Sequence, residues 1–574
     1  MKRLIAVLVI LILGSAYAFA ASVSREDALN YAKKFLGCTD TSELTLSGIG
    51  EDGAGPAFYV INRAGGGFVL VSGDDNVDTL LGYSHTGSFT TEGAPDNIKA
   101  WTESLAKDIR HVREFKLKPN ARDIQRRKAV KPRKAGEGQV VIETAQWDQG
   151  GPYNAYCEVG DDGLALTGCV ATATAIVLRN NKYPAHGTGR LSGYTTNTKK
   201  YYIEGYSIDD HNYNWDLMPL SKNDVRNASA EAKHEIAQLM HDLGVMVGMD
   251  YSPGGSGAHT PKMASVLAEH MGYSASAVMR PKAVYTPSQW VGVLKGEIDA
   301  GRVVLYSAHD SGGQGGHAFV IDGYDSNGLI RVNWGWSGSG NGFFNLDLAV
   351  DGYRFSEDQT ALIGLVPDPE GNDNPVSNVI IAGNGVSLAG GSLVKNTLFN
   401  VNVSYLTNYG VGTFRSYAIP ALVDKEGNIL EMTGDPVQIE VPGNTGSGYY
   451  HVDVSFTGCR FTKTPAFTDR VAIVLREPAT GAYKPLLPSI EDGSLGSLGF
   501  IPTHIPIKDN YSAGERFYCS YVSQSDVYTS AVWYFDGVRV NSEFIDLTSG
   551  THEIRLVLGS SSGSRTIVQE INVR

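Results

Sequence analysis

The sequence predicts a multidomain protein of the α+β class, with a small N-terminal domain, a larger α+β domain and C-terminal β-sandwiches. Three observations predict it. The chain has 574 residues, and one core rarely organises more than about 250 to 300 residues. In the middle of the chain helical periodicity is followed by a dense set of strand patterns, which is typical of an α+β domain. The remainder of the chain alternates short apolar strands with turn residues, as β-sandwiches do.

Composition limits the possible functions. Hydrophobic residues make up 42% of the chain, enough for packed cores, and 67 glycines indicate many turns. The formal net charge of -13 argues against a nucleic-acid partner, because such proteins present a basic face.

The N-terminus has the pattern of a secretory signal peptide. Lys2 and Arg3 precede an apolar run at 4–13, and alanines follow at 16, 18 and 20. A membrane anchor is the alternative, but a spanning helix needs about 20 apolar residues. We therefore predict a signal peptide over residues 1–20 and a secreted protein; retention in a periplasm or at the cell surface stays open.

The next two segments differ in character. Residues 21–112 combine amphipathic stretches at 25–36 and 98–114 with strand patterns at 58–61 and 68–72, and so predict a small α+β domain. Residues 113–139 are basic, contain proline and hold few large apolar residues, which predicts an exposed linker. Such a linker is either a solvated loop between permanent domains or a proteolytic activation site.

Residues 140–367 are predicted to form the larger α+β domain. Helices are expected after Gly168 and at 230–247 and 260–272, and strands at 303–307, 318–322, 329–333 and 343–348. After 366–375 the pattern changes to short alternating strands. It predicts two immunoglobulin-like β-sandwiches, at 375–500 and 501–574.

Five cysteines are scattered over the chain, at 38, 157, 169, 459 and 519, and do not form a disulfide scaffold. Cys169 follows a glycine and begins a run of small and apolar residues that predicts a buried helix. A helix N-terminus stabilises a thiolate, which is the nucleophilic form of cysteine. Taken alone, a cysteine in this position is more often a buried core residue. Cys157 has no base near it in the sequence and is predicted to be structural.

A second segment supplies a base for such a nucleophile. His317 follows two glycines and begins an apolar strand, and Asn333 and Trp334 end the next strand. A hairpin turn near 326–328 would pair these strands and bring His317 and Asn333 to the same end. An Asn side chain can then orient the imidazole toward a thiol, the arrangement of cysteine proteases, and Trp334 could shield that hydrogen bond.

An amide lies 20 residues before the candidate nucleophile. With the backbone N–H of Cys169, the side chain of Gln149 would supply two donors to an oxyanion. Gln146 is the alternative donor, and a surface glutamine is the functionally neutral interpretation.

Four segments together, WDQGGPYN, TGCVATATA, GGHAFVIDGY and VNWGW, resemble the streptopain family of papain-fold bacterial cysteine peptidases. The resemblance covers residues 140–367 and extends to 66–89, which are similar to the family's inhibitory propeptide. It implies a papain-like catalytic domain, an α+β propeptide that inhibits its own enzyme, and protein or peptide substrates with a hydrophobic residue two positions before the scissile bond. For the site it implies a dyad supported by three further residues: Cys169, His317, Asn333, Trp334 and Gln149.

The C-terminal β-rich region and Cys157 depart from the shortest family members. No HExxH, clustered Cys/His, Gly-rich phosphate loop or GxSxG pattern occurs, so no cofactor or metal is predicted. The acidic stretches 74–78 and 368–373 are read as solvated, with calcium left open.

Two other functions compete with a secreted cysteine endopeptidase. A secreted adhesin or binding protein would use the β-sandwiches for a cell-surface or host ligand and carry an inert papain-like domain. A cysteine amidase or transglutaminase would act on side chains or peptidoglycan.

Overall fold

The structure is a computed structural model of the chain. It describes residues 22–574 apart from these positions: 95, 116, 118–135, 161–162, 283–284, 286, 310–315, 347–358, 371–379, 384, 411, 425–426, 444–450, 467–468, 479, 487–496, 500–504, 506, 509, 522–527 and 561–562. The predicted signal peptide and most of the predicted linker lie outside the described residues, as do 371–373 of the second acidic stretch. Within the described residues, no helix combines the length and apolarity needed to cross a bilayer.

The elements follow the chain in three groups. Residues 22–141 form α1 (Arg25–Leu36), β1 (Leu44–Ile49), β2 (Phe58–Arg63), β3 (Phe68–Ser72), β4 (Leu80–Ser84), α2 (Asp96–Glu114) and β5 (Gln139–Val141). Residues 142–367 form β6 (Val159–Gly160), β7 (Gly163–Leu164), α3 (Cys169–Asn181), β8 (Tyr194–Thr195), β9 (Tyr202–Ile203), α4 (Lys222–Asn227), α5 (Ala230–Val247), α6 (Lys262–His270), β10 (Val278–Pro281), α7 (Pro287–Asp299), β11 (Val304–His309), β12 (Gly316–Asp325), β13 (Ile330–Asn333), β14 (Gly342–Phe344) and β15 (Thr360–Ile363).

The C-terminal third contains strands alone among its described residues. They are β16 (Ile380–Ala382), β17 (Val386–Gly391), β18 (Phe399–Asn408), β19 (Phe414–Val423), β20 (Ile429–Met432), β21 (Val437–Val441), β22 (His451–Cys459), β23 (Arg470–Arg476), β24 (Tyr483–Pro485), β25 (Ser497–Gly499), β26 (Arg516–Tyr518), β27 (Ser530–Phe535), β28 (Val538–Val540), β29 (Phe544–Asp546), β30 (Gly550–Ser560) and β31 (Gly563–Val573).

The chain divides into two compact units. The first comprises Met1–Val141, His309–His317 and Asp322–Glu357, and the second comprises Ile142–Ala308, Ala318–Ile321 and Asp358–Arg574. The first unit therefore joins the N-terminal domain to the β13–β14 region of the larger α+β domain.

Local sequence fixes the first helix of this unit. Ser24 caps α1 by accepting from Asp27 N, and Gly37 ends it in the left-handed conformation (φ 68°). Ala28, Ala32 and Phe35 recur at helical spacing and are buried. They pack in a core with the apolar sides of β2, β3 and β4.

The N-terminal domain extends the sheet of the larger domain. In the first unit the strand order is β1-β2-β3-β4-β14-β13-β12, with β5 against β12. The joining pair is antiparallel β4 and β14, with Phe343 opposite Tyr83 and Phe344 opposite Gly82. The Tyr83 hydroxyl also donates to the buried Asp325 at 2.9 Å, and burial raises the pKa of that carboxyl.

The second unit begins with a helical core. Small residues of α3 such as Ala171 and Ala175 are fully buried with Leu239 and Met240 of α5, because side chains of this size let two helices approach closely. Beside this core, β10, β15 and β11 form an antiparallel sheet.

A buried carboxylate ties a loop to α5. Asp242 is fully buried and accepts from the hydroxyls of Tyr206 (2.9 Å) and Tyr213 (2.8 Å). Its other partner is His211 Nδ1 at 2.8 Å. Three partners satisfy a charge that would otherwise be costly to bury.

The β-rich C-terminal prediction is confirmed. The sheet β16-β18-β17 with β22 and the sheet β20-β19-β23-β24 with β21 and β25 share one apolar core. A separate core lies under β27, β30 and β31. The α+β class of the whole is likewise confirmed, since helices precede antiparallel strands in the larger domain.

The His211–Asp242 pair predicts a pH-dependent contribution to stability. The hydrogen bond to Asp242 raises the pKa of His211. The pair therefore contributes fully to the free energy of unfolding below the unfolded-state pKa of the histidine, and this contribution is lost as pH rises through the folded-state pKa. We expect His211→Ala to lower the free energy of unfolding more at about pH 5 than at about pH 8.5, measured by urea denaturation. His259→Ala, at an exposed position, is the control; equal losses at both pH values would contradict the prediction.

Candidate active site

The structure places Cys169 as the first residue of α3, as the sequence predicts. Gly168 before it has φ 85° and ψ 143°, so the chain turns sharply into the helix. Cys169 N–H is one of the first helical amides, which have no acceptor within the helix. The residue is 9% exposed, so its sulfur lies at a partly dry, electropositive helix end.

The turn before Cys169 is held by a second loop. Ser256 Oγ donates to Leu166 O at 2.7 Å, and Leu166 N donates to Ser252 O at 3.2 Å. A side chain on Gly168 would lie 2.5 Å from Met249 Sδ. The position therefore requires glycine both for its backbone angle and for space.

The two candidate oxyanion donors differ in position. Gln149 O accepts from Thr167 N at 3.1 Å, which fixes Gln149 to the segment that leads into Cys169. Gln146 is exposed, and its backbone N–H donates to Leu220 O. The main chain of Gln149 thus adjoins the segment that leads into Cys169, whereas that of Gln146 is bonded to Leu220.

A hydrogen bond links the sulfur of Cys169 to β12. Ala318 N donates to Cys169 Sγ at 3.4 Å. Ala318 is the residue directly after His317 in the chain.

His317 and Asn333 lie on neighbouring strands. His317 is near the start of β12 and Asn333 ends β13, and the predicted turn joins these strands, with Asp325 N donating to Leu329 O at 2.9 Å. His317 lies eight residues before Asp325, whereas Asn333 lies four residues after Leu329. Both residues therefore lie toward the open end of the hairpin. They are not directly opposite each other, because His317 is farther from the turn than Asn333. The buried Asn333 uses its Oδ1 to accept from Gly335 N at 3.1 Å.

Trp334 lies in an aromatic cluster. It is 1% exposed, its indole Nε1 donates to Gly340 O at 3.0 Å, and its ring lies 5.4 Å from Phe344. Trp101 of α2, in the N-terminal domain, packs 5.7 Å from the same ring. Sequence patterns did not single out Trp101, because a helical tryptophan gives no local sign of its partner.

The other four cysteines have unreactive environments. Burial raises the pKa of every one of these thiols, to about 12 for Cys157 and about 11 for Cys459. They are protonated at neutral pH and so poor nucleophiles. Among the residues that the structure describes, no group of three or more His, Cys, Asp or Glu side chains is arranged to hold a metal ion.

Two segments of the chain match known protein families. Residues 147–344 match the Peptidase C10 family, and residues 20–109 match the Spi protease inhibitor family. Streptopain of Streptococcus pyogenes is 32% identical over 343 residues, which cover 56% of this chain and 83% of streptopain.

Two further relatives share the same region. The thiol protease/hemagglutinin PrtT of Porphyromonas gingivalis is 30% identical over 405 residues, 65% of this chain but 45% of PrtT, so the chain spans less than half of that protein. A prointerpain A fragment from Prevotella intermedia is 29% identical with a TM-score of 0.47, covering 57% of this chain and all of the fragment.

The chain belongs to the Peptidase C10, or streptopain, family. It is a cysteine-type peptidase of zymogen design that carries its own inhibitor propeptide domain. The family resemblance noted in the sequence is thereby confirmed.

Gly168→Ala tests the turn that presents Cys169. The positive φ and the approach to Met249 Sδ should together lower the free energy of unfolding by about 2 to 5 kcal/mol, measured by denaturant titration. Gly254→Ala in the neighbouring loop is the matched control, since a Cβ there meets nothing within 4 Å. Equal stability of the two variants would show that the turn tolerates a side chain.

Proposed function

We propose that this protein is a secreted cysteine endopeptidase in which Cys169 is the nucleophile and His317 is its base. The observation that carries the proposal is the 3.4 Å hydrogen bond from Ala318 N to Cys169 Sγ. Ala318 follows His317 directly in the chain. The proposed base is therefore the neighbour of the residue whose N–H donates to the sulfur. No other cysteine combines a helix N-terminus with such a partner among the described residues.

In the proposed reaction the thiolate of Cys169 attacks a peptide carbonyl while His317 is protonated. The positive end of α3 and the amide of Ala318 stabilise the thiolate before attack. His317 then protonates the leaving amine, and water hydrolyses the thioester. Asn333 is proposed to orient the imidazole, and Trp334 to keep water from it.

The oxyanion is proposed to bind two donors, the side chain of Gln149 and the backbone N–H of Cys169. The bond between Thr167 N and Gln149 O supports this, because it holds the two donors' segments in fixed register. Donors fixed before the reaction need no reorganisation as charge develops.

Substrate and site of action extend the proposal. We infer protein or peptide substrates with a hydrophobic residue two positions before the scissile bond, on the family resemblance. Export is inferred from the N-terminal pattern of residues 1–20, and activation by cleavage in 113–139 from the basic composition of that segment.

A binding protein with an inert peptidase domain is the second candidate. PrtT is named as both a protease and a hemagglutinin, and the β-sandwiches here expose aromatic side chains such as Tyr405, Tyr417 and Tyr518. In this second candidate the β-sandwiches bind a cell-surface or host ligand. Catalytic activity at Cys169 would exclude an inactive peptidase domain.

Cys169→Ala is the direct test of the proposed function. In reducing buffer the processed wild type should cleave casein and be alkylated by iodoacetamide at Cys169, and the variant should lose cleavage to background because the nucleophile is gone. Gln149→Ala should retain alkylation but lower kcat by about 100- to 1000-fold. Cys157→Ala is the control and should stay active. Undiminished cleavage by Cys169→Ala would refute the assignment.

Gly82→Ala tests latency imposed through the shared sheet. A Cβ on Gly82 would lie 2.5 Å from Cδ1 of the fully buried Phe344. Because that clash opposes β4–β14 pairing, the inhibitor domain should hold its enzyme about 10- to 100-fold more weakly. The uncut variant should therefore turn over a fluorogenic peptide faster than the uncut wild type.

The matched control is Gly53→Ala in the same domain, where a Cβ meets nothing within 4 Å. Both proteins are checked for an intact chain by gel. If uncut Gly82→Ala is as latent as uncut Gly53→Ala, strand pairing does not contribute to latency.

A further inference from the structure

The loop between β13 and β14, residues 334–341, is rich in glycine and in positive φ angles. Its sequence is WGWSGSGN. Gly335, Ser337, Gly338 and Gly340 all have positive φ, between 52° and 77°. Glycine-rich segments lose much conformational freedom when they are ordered, so a defined loop here needs specific interactions.

The side chain of Asn341 supplies the bond that closes the loop. Its Oδ1 accepts from Trp334 N at 3.1 Å, so the last residue of the loop is joined to the first. Inside this closure, Ser339 N donates to Trp336 O at 2.8 Å. The indole Nε1 of Trp334 donates to Gly340 O at 3.0 Å, which joins the same two ends again.

This closure also governs the residue before the loop. The amide that Asn341 holds belongs to the peptide bond between Asn333 and Trp334, so it fixes the plane from which Asn333 leaves β13. Asn333 Oδ1 accepts from Gly335 N, another member of the loop. The directions of Asn333 and Trp334 therefore both depend on the closure.

The inhibitor domain contacts the same loop. Trp101 packs against Trp334, and a Cβ on Gly340 would lie 3.4 Å from Ile98 and 3.5 Å from Phe89. While this domain is bound it braces the loop from outside. Once it is removed, the loop keeps its internal hydrogen bonds and the contact of Trp334 with Phe344.

We propose that Asn341 is a positioning residue for the peptidase reaction: by closing the loop 334–341 it holds Asn333 and Trp334 where they support His317 in the activated enzyme. This inference rests on the proposed function. Asn341 acts on the site through Asn333 and Trp334, whose shared peptide group it holds.

The test compares Asn341→Ala with Asn341→Asp, each made in the full-length chain and assayed after processing. Loss of the acceptor should lower kcat by about 10- to 100-fold while KM changes little, because orientation and not substrate contact is lost. The Asp variant keeps an oxygen in the same place and should retain most of the activity.

A second measurement separates positioning from stability. The rate of Cys169 alkylation by iodoacetamide is followed against pH, since it reports the thiolate that a well-oriented imidazolium stabilises. Its midpoint should move to higher pH in Asn341→Ala and stay in place in Asn341→Asp. A variant that merely melts earlier, with unchanged kcat and alkylation profile, would overturn the proposal.

Two controls make the outcome unambiguous. Cys169→Ala is assayed in parallel: if it cleaves casein, or if wild type does not, the proposed function fails and this inference falls with it. If both behave as expected and Asn341→Ala equals wild type, only the role of Asn341 is refuted. Should Asn341→Ala yield no processed enzyme, Asn341→Gln, which displaces the amide oxygen by one methylene, must show the same fall in kcat.

Discussion

The hydrogen bond between Ala318 N and Cys169 Sγ is the interaction on which the functional interpretation depends. It joins the N-terminus of a helix to a strand, two elements that bring separate chemical groups. The helix contributes the positive end of its dipole, which stabilises an anion. The strand contributes the backbone N–H of Ala318, the residue that follows His317. Glycine at 168 suits this meeting, because its φ of 85° is rare for other residues and a Cβ there would lie 2.5 Å from Met249 Sδ.

The inhibitor domain and the strands that carry His317 and Asn333 belong to one sheet of the first unit. By pairing β4 with β14, the inhibitor domain adds strands to the β13–β14 region, a form of recognition in which backbone hydrogen bonds supply affinity and side chains supply register. Gly82 lies opposite Phe344 in that pairing, where a Cβ would approach Phe344 Cδ1 to 2.5 Å. The same domain places Trp101 on Trp334, so it contacts the hairpin through both backbone and side chains.

Elements with strong local signals were predictable. The range 230–247 coincides with α5, where Ser229 caps the start and Gly248 ends the helix in the left-handed conformation. The helix predicted at 260–272 is shorter, Lys262–His270, because Pro261 precedes it and Gly272 has φ 58°. Strand β14 ends at Phe344, short of the predicted 348, and 347–350 lie outside the described residues. The contacts of Trp101 and Asn341 were not predictable, because their partners are set by strand pairing and loop closure.

The position of Asn341 shows why such residues escape a search for motifs. An asparagine after a glycine-rich run is usual in turns, so its sequence context suggests nothing beyond a loop. The proposed function of Asn341 follows from the loop that it closes. That loop begins at the buried Trp334, directly after Asn333 at the end of β13. The contacts of Trp334 include the ring of Trp101 in the inhibitor domain, the ring of Phe344 on β14, and hydrogen bonds to Asn341 and Gly340. The proposed activation would remove the contact with Trp101, so the hydrogen bonds within the loop and the ring of Phe344 would then hold Trp334.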